Sequence, residues 1–262
     1  MNLDLSNYTA LVCGSTQGIG FAAAQELALL GANVVLMARN EIALREAITK
    51  LSKNVTQHHQ YIIADFNDPL AVEKQVKSFI TTNGIIHIVV NNTGGPAGGP
   101  ITSATVEAFT QTFSQHLLCN HLIMQATIGG MKESGYGRII SVISTSVKQP
   151  LKGLGVSNTI RAAVANWSKT LSVELAPFGI TVNNVLPGAT STNRLSTLIE
   201  NKSKNTGASI DNLQEEMVKE IPAGRFGNPD EIGSAIAFLA TPAASYINGI
   251  NLPVDGGRTG SL

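Results

Sequence analysis

Cysteine is scarce in this sequence. Cys13 and Cys119 are the only two among 262 residues, too few for a disulfide framework. No CxxC pair or zinc-ligand set accompanies them, so no metal is expected and a reducing, cytoplasmic setting is. Charge is thin as well. Charged residues make up 14% of the chain against 43% apolar ones, and eighteen cations balance eighteen anions. With no basic block, and no basic stripe interleaved with aromatics, nucleic acid and anionic membrane are not expected as partners. The N-terminal stretch has neither the basic start nor the unbroken apolar core of a secretory signal. Ile232 to Val254 carries no charge, but Pro242, Asn248, Gly249, Asn251 and Pro253 interrupt it. It reads as a helix, a turn and a strand rather than a membrane span. So little charge on so apolar a chain predicts that part of the surface is hidden in a homo-oligomer.

What the sequence does have is alternation. Short β-branched runs at Thr9–Cys13, Asn33–Met37, Gln60–Ala64, Ile85–Val90, Arg138–Ile143, Ile180–Val185 and Gly249–Val254 read as strands. Between them, helical stretches are expected over Ile19–Leu30, Glu41–Leu51, Pro69–Thr82, Val106–Glu133, Ser157–Leu175, Leu213–Ile221 and Asp230–Ala240. Strand and helix in turn require parallel strands with crossover helices. The expected fold is therefore α/β, a Rossmann-type doubly wound parallel sheet with helices on both faces. The length suits a single domain over 1–262. Periodicity weakens between Pro187 and Pro222, and the segment 189–223 is expected to be a substrate lid.

Gly14-Ser-Thr-Gln-Gly18-Ile-Gly20 lies between the first strand and the first helix. Glycines there let backbone approach a pyrophosphate while the helix N-terminus supplies amide donors, so the turn points to an adenine dinucleotide. At the end of the second strand, Ala38 stands where an NAD site usually places a carboxylate, and Arg39 is suited to pairing with a 2′-phosphate. NADP(H) is therefore favoured over NAD(H), with a solvated Arg39 as the plain alternative. Asp65 fits either the adenine end of the site or a turn cap.

Asn91-Asn-Thr-Gly94 follows the fourth strand, and with the first turn it carries a family resemblance. Cys13-Gly-Ser-Thr-Gln-Gly-Ile-Gly20 is similar to TGxxxGIG with Cys for Thr, and Asn91-Asn-Thr-Gly94 to NNAG with Thr for Ala. Gly137 to Ser144 resembles GRIVNISS, Pro187 to Thr192 resembles PGxxxT, and Gly224 to Glu231 and Val254 to Gly257 complete the set. The whole chain resembles the short-chain dehydrogenase/reductase family, in its 3-oxoacyl-acyl-carrier-protein reductase branch.

The resemblance implies a dinucleotide held by Gly14, Ser15, Gln17, Gly18, Ile19, Gly20, Arg39, Asp65, Asn91, Gly94, Arg161, Pro187, Gly188 and Thr192. It also implies a small-molecule or acyl-carrier-linked carbonyl substrate and a homotetramer. Of the family's catalytic Asn, Ser, Tyr and Lys, only the Ser is retained, as Ser144. Ser157-Asn-Thr-Ile-Arg161 stands in place of YxxxK, and His116 in place of the Asn. Serine is a far weaker acid than a phenol of pKa about 10. Arginine keeps the charge but relays protons poorly. His116 has a pKa near neutrality in water and is a candidate proton source, or else a packed and satisfied core histidine. Gly94 to Pro100, dense in Gly and Pro, is expected to wall the pocket. Two functions stay open: a divergent NADP(H)-dependent oxidoreductase, and a non-catalytic or regulatory dinucleotide-binding protein that has lost the Tyr and Lys.

From Ala38 and Arg39, NADPH is expected to bind more tightly than NADH when both are titrated by fluorescence at one salt concentration. Arg39→Ala should narrow the gap by about 1 to 3 kcal/mol. Equal affinities in the unsubstituted protein would remove the assignment.

Overall fold

The computed structural model describes residues 1–261. Strand β1 (Thr9–Cys13) leads through the glycine turn to α1 (Gly18–Leu29), then β2 (Asn33–Ala38), α2 (Glu41–Thr49), β3 (Gln60–Ile63), α3 (Pro69–Asn83) and β4 (Ile88–Asn91). The second half runs α4 (Val106–Phe113), α5 (Cys119–Ser134), β5 (Gly137–Val142), α6 (Gly155–Leu175), β6 (Ile180–Pro187), α7 (Asn193–Thr206), α8 (Ile210–Lys219), α9 (Pro229–Ala240) and β7 (Asn251–Val254). The strand pairings are parallel, in the order β3-β2-β1-β4-β5-β6-β7. This is the expected doubly wound sheet. Strand order reverses between β1 and β4, the point at which such sheets open a crevice at their carboxyl edge.

Alternation within each strand builds both layers. Val34 and Leu36 pack on one face with Leu27, Ile232 and Ile236, which places α1 and α9 there. Val35 and Met37, one residue out of step, pack on the other face with Val76, Ile123 and Leu171 from α3, α5 and α6. Successive side chains of a strand point to opposite faces, so a chain with β-branched residues at every position is buried on both. Strand β5, next to the central β4, starts from a buried cation. Arg138 donates to the Gly137 carbonyl at 2.8 Å and to Ser245 Oγ at 2.9 Å, and its guanidinium lies 4.0 Å from the centre of the Tyr136 ring. Among the described residues no helix is long and apolar enough to cross a membrane.

Two expectations need correcting. The helix expected unbroken over Val106–Glu133 is interrupted by a π-helical turn at Ser114–Leu118. The wider turn carries one extra residue and buries His116, and such turns within helices often mark functional sites. The second correction is α7. Its sequence, NRLSTLIENKSKNT, is polar enough to read as loop, yet Thr192 Oγ1 accepts from the Leu195 amide at 3.3 Å and Gly207 closes the other end in the left-handed region. Leu195, Leu198 and Ile199, at helical spacing, supply its apolar side. The segment 189–223 is thus two capped helices rather than a loop with one.

Candidate functional site

The glycine turn is shaped by contacts too close for side chains. A Cβ on Gly20 would lie 2.2 Å from the Gly14 carbonyl oxygen, and one on Gly14 would lie 2.5 Å from the carbonyl oxygen of Asn92. Gly14 and Gly18 have φ of +57° and +56°, a region that glycine alone adopts without strain. Asn92, just past β4, donates its side-chain amide to the carbonyls of Gly14 at 3.1 Å and Cys13 at 3.2 Å, which ties two strand ends together. Gln17 precedes α1 without capping it by its side chain. The first amides of α1 thus stay available to an anion, with the helix dipole behind them.

A cleft of about 1360 Å³ runs along the carboxyl edge of the sheet from this turn. Gly14, Gln17, Gly18, Ile19, Arg39, Asp65, Gly94, Ser144, Ser157, Arg161, Pro187, Gly188 and Thr192 all line it. At its β2 end Asn40 caps α2, its side chain accepting from the Ala43 amide, and leaves Arg39 exposed. Asp65 both lines the cleft and caps a turn, its Oδ1 accepting from the Asn67 amide at 3.0 Å.

Four of the expected site residues lie behind the lining. Ser15 is buried, and its hydroxyl accepts from the Met37 amide at 3.0 Å, so it pins the turn to β2. Gly20 serves the turn's packing. Asn91 is buried, its amide 3.4 Å from Ser141 Oγ. His116 is the fourth.

The far end of the cleft holds Ser144, Ser157 and Arg161, with His116 buried behind them. Ser144 follows β5 and caps a short 3-10 turn, its Oγ accepting from the Ser146 amide at 3.1 Å. Ser157 and Arg161 lie one turn apart on α6, and Arg161 Nη1 donates to the Val142 carbonyl at 2.7 Å. Burial, and then the charge of Arg194, lower the Arg161 pKa to about 10, which leaves it cationic at neutral pH. His116 Nδ1 lies 2.6 Å from Thr93 Oγ1, and its Nε2 lies 3.1 Å from the Gly94 carbonyl. A carbonyl only accepts, so Nε2 carries the proton and the Thr93 hydroxyl donates to Nδ1. Burial above all, with Arg161 adding to it, pushes the His116 pKa down to about 2. His116 is therefore neutral and satisfied, and the expectation that it supplies a proton to the cleft is corrected on that ground. None of the four tyrosines lines the cleft.

Helices α7 and α8 close one side. Asn193 donates its amide to Gln17 Oε1 at 2.9 Å, and the Arg194 guanidinium donates to the Pro96 carbonyl. Sequence reasoning missed Asn92, Thr93 and Arg194. Asn92 and Thr93 stood inside a recognised motif, but Arg194 had no local signal because its partner lies on a distant loop.

Residues 14–259 match the family described as enoyl-(acyl carrier protein) reductase. The NADPH-dependent reductase BacG of Bacillus subtilis is 30% identical over 263 residues, covering 98% of this chain and all of that protein. The 3-oxoacyl-acyl-carrier-protein reductase of Chlamydia muridarum is 32% identical over 257 residues, covering 98% of this chain and 99% of the relative. The crystal structure of L-sorbose reductase from Gluconobacter frateurii, complexed with NADPH and L-sorbose, superposes with a TM-score of 0.92 at 29% identity and full coverage of both chains.

His116 makes a pH dependence testable. Its pKa is about 2 in the fold against 6.5 in an unfolded chain. Below about pH 6.5 the unfolded state therefore takes up a proton that the folded state refuses, and stability falls as the pH drops. His116→Asn removes that liability. Relative to the unsubstituted protein, the variant should gain stability in urea unfolding between about pH 7.5 and pH 5, by up to about 1.4 kcal/mol per pH unit once below the unfolded pKa. Parallel stability curves would show that the folded protein protonates His116.

Proposed function

The chain belongs to the short-chain dehydrogenase/reductase family, and from that premise we propose that it is an NADP(H)-dependent oxidoreductase acting on a small carbonyl or alcohol substrate. The observation that carries this reading is the continuity of one cleft from the uncapped α1 N-terminus to Ser144, Ser157 and Arg161. A dinucleotide fits the first part on physical grounds. The turn around Gly14 and Gly20 admits backbone approach and no side chain, free amides face the space, and Arg39 stands at the β2 end without a carboxylate on Ala38. Gly14, Gln17, Gly18, Ile19, Arg39, Asp65, Gly94, Pro187, Gly188 and Thr192 would hold it, with Ser15, Gly20 and Asn91 supporting them from behind. When bound, the nicotinamide supplies or accepts a hydride.

The chain's own residues have four tasks at the far end. Arg161, tethered to the Val142 carbonyl, stabilises negative charge growing on the substrate oxygen. Ser144 orients that oxygen. Ser157, with no base to activate it, is a small donor that leaves room for water where the family has a phenol, and that water supplies the proton. Thr93, its own proton committed to His116, presents only lone pairs to the cleft and orients a donor. The segment 189–223 acts as the lid. The substrate is a small carbonyl or an acyl-carrier-linked one, with Arg194 and Leu198 among the residues that line this end. The absence of a tyrosine from the cleft favours a second reading, a dinucleotide-binding protein without turnover.

Both readings are separated by kcat/KM with NADPH against several carbonyl classes. Arg161→Ala and Ser144→Ala should each lower it by about 100-fold to 1000-fold, and Ser157→Ala by less. If Arg161→Ala stays within about twofold while Ser157→Ala abolishes the rate, the roles are reversed. Tight NADPH binding with no turnover of any carbonyl makes the non-catalytic reading the correct one. The protein is further proposed to be a homo-oligomer, a homotetramer by family, since α4 to α6 and the π turn leave Val106, Phe113, Leu118 and Val173 exposed. Light scattering should return a multiple of 27.5 kDa, and a monomer at micromolar concentration would count against it.

A further inference from the structure

Charge in the cleft is unevenly answered. At the end near β2 and β3 the two lining carboxylates have local partners: Glu46 pairs with Lys50 at 2.6 Å, and Asp65 accepts from Asn67. At the opposite end two arginines arrive from separate elements, Arg161 from α6 and Arg194 from the first turn of α7. Each donates to one backbone carbonyl, of Val142 and of Pro96 respectively. Neither takes part in an ion pair among the described residues. A Cβ built on Gly95 would lie 3.3 Å from Arg194 Nη2 and 3.7 Å from Arg161 Nη2. Both nitrogens thus look onto the same small space, and the missing side chain of Gly95 keeps it open.

Two guanidiniums brought together repel, and withdrawing one from bulk water weakens its hydration. Arg194 is exposed and Arg161 half-buried; burial, and then the charge of Arg194, lower the Arg161 pKa. The neighbouring side chains relieve none of this. His116 is neutral, and Ser144, Ser157 and Thr93 carry no charge. A planar fork of N–H donors suits oxoanions in particular, because two parallel hydrogen bonds form to one carboxylate or phosphate.

We propose that the substrate brings the missing anion: the site takes a carbonyl compound bearing a carboxylate or phosphate group, held across Gly95 by Arg161 and Arg194 beside Ser144 and Ser157. This inference rests on the reading of the cleft as a carbonyl oxidoreductase site and names its substrate class. Arg194 is the specificity residue in this arrangement, since Arg161 also serves the reacting oxygen. Anchoring the anion fixes the distance from charge to carbonyl and so selects short oxoacids or phosphorylated ketones over neutral ketones.

The test is calorimetry with malonate, inorganic phosphate and uncharged malonamide, on the full chain with and without saturating NADPH. At least one anion should bind at least about tenfold more tightly than malonamide, and Arg194→Gln should weaken it by about ten- to a hundredfold, the scale of a charge-assisted hydrogen bond. Preference for malonate assigns the subsite to oxoacids, and preference for phosphate to phosphorylated carbonyls. In turnover, 3-oxobutanoate should exceed its methyl ester in kcat/KM, and Arg194→Gln should erase the difference through KM rather than kcat. The proposal is overturned if malonamide binds as well as both anions, or if Arg194→Gln changes nothing. It is also overturned if NADPH displaces the anion, for the arginines would then serve the cofactor's phosphates. Arginine-dependent anion binding alongside NADPH without reduction of any carbonyl would uphold the subsite while removing the catalytic reading.

Discussion

Gly20 rests on the carbonyl of Gly14 with no space for a methyl group between them, and Asn92 donates its side-chain amide to the same carbonyl. Three pieces of chain, the end of β1, the start of α1 and the end of β4, are fixed to one another at this point. The reversal of strand order opens a crevice at the same place, so the contact sets where the floor of the cleft begins and which way the α1 amides face. Ser15 completes the anchorage by binding β2 through the Met37 amide. An added side chain anywhere in this cluster has nowhere to go except into backbone, where close packing leaves no slack.

Much of this was legible in the sequence because it is local. Alternating burial, strand by strand, follows from β-branched residues at successive positions. The glycine turn follows from three glycines between a strand and a helix. Thirteen of the expected site positions line the cleft, since residues at strand ends gather there whatever the loops do. One source of failure is contact between distant segments. Asn193 and Arg194 reach Gln17 and the Pro96 carbonyl across 176 and 98 residues of sequence, and nothing near them in the sequence announces it. Helix α7 was hidden by its polar composition, although Thr192, Leu195, Leu198 and Ile199 carry the cap and the spacing. His116 was open to two readings, and only its two hydrogen bonds and its burial decided for the packed one.

Thr93, His116, Ser157 and Arg161 stand apart in the sequence and are neighbours in space. Thr93 binds His116. Arg161 is close enough for its charge to help hold His116 neutral. Ser157 sits one turn before it. The four lie close together, and Thr93 and His116 depend on each other for a hydrogen bond. Ser157→Tyr would place a phenol one turn from an arginine that is already tethered to the Val142 carbonyl.

Asn193 and Arg194 are adjacent in the chain, yet one grips the glycine turn through Gln17 and the other the glycine-rich loop at the far end. The start of α7 is in effect a clasp with two hooks: adjacent side chains hold segments that lie 176 and 98 residues away in the sequence. The two ends of the cleft are thereby joined through a single peptide bond.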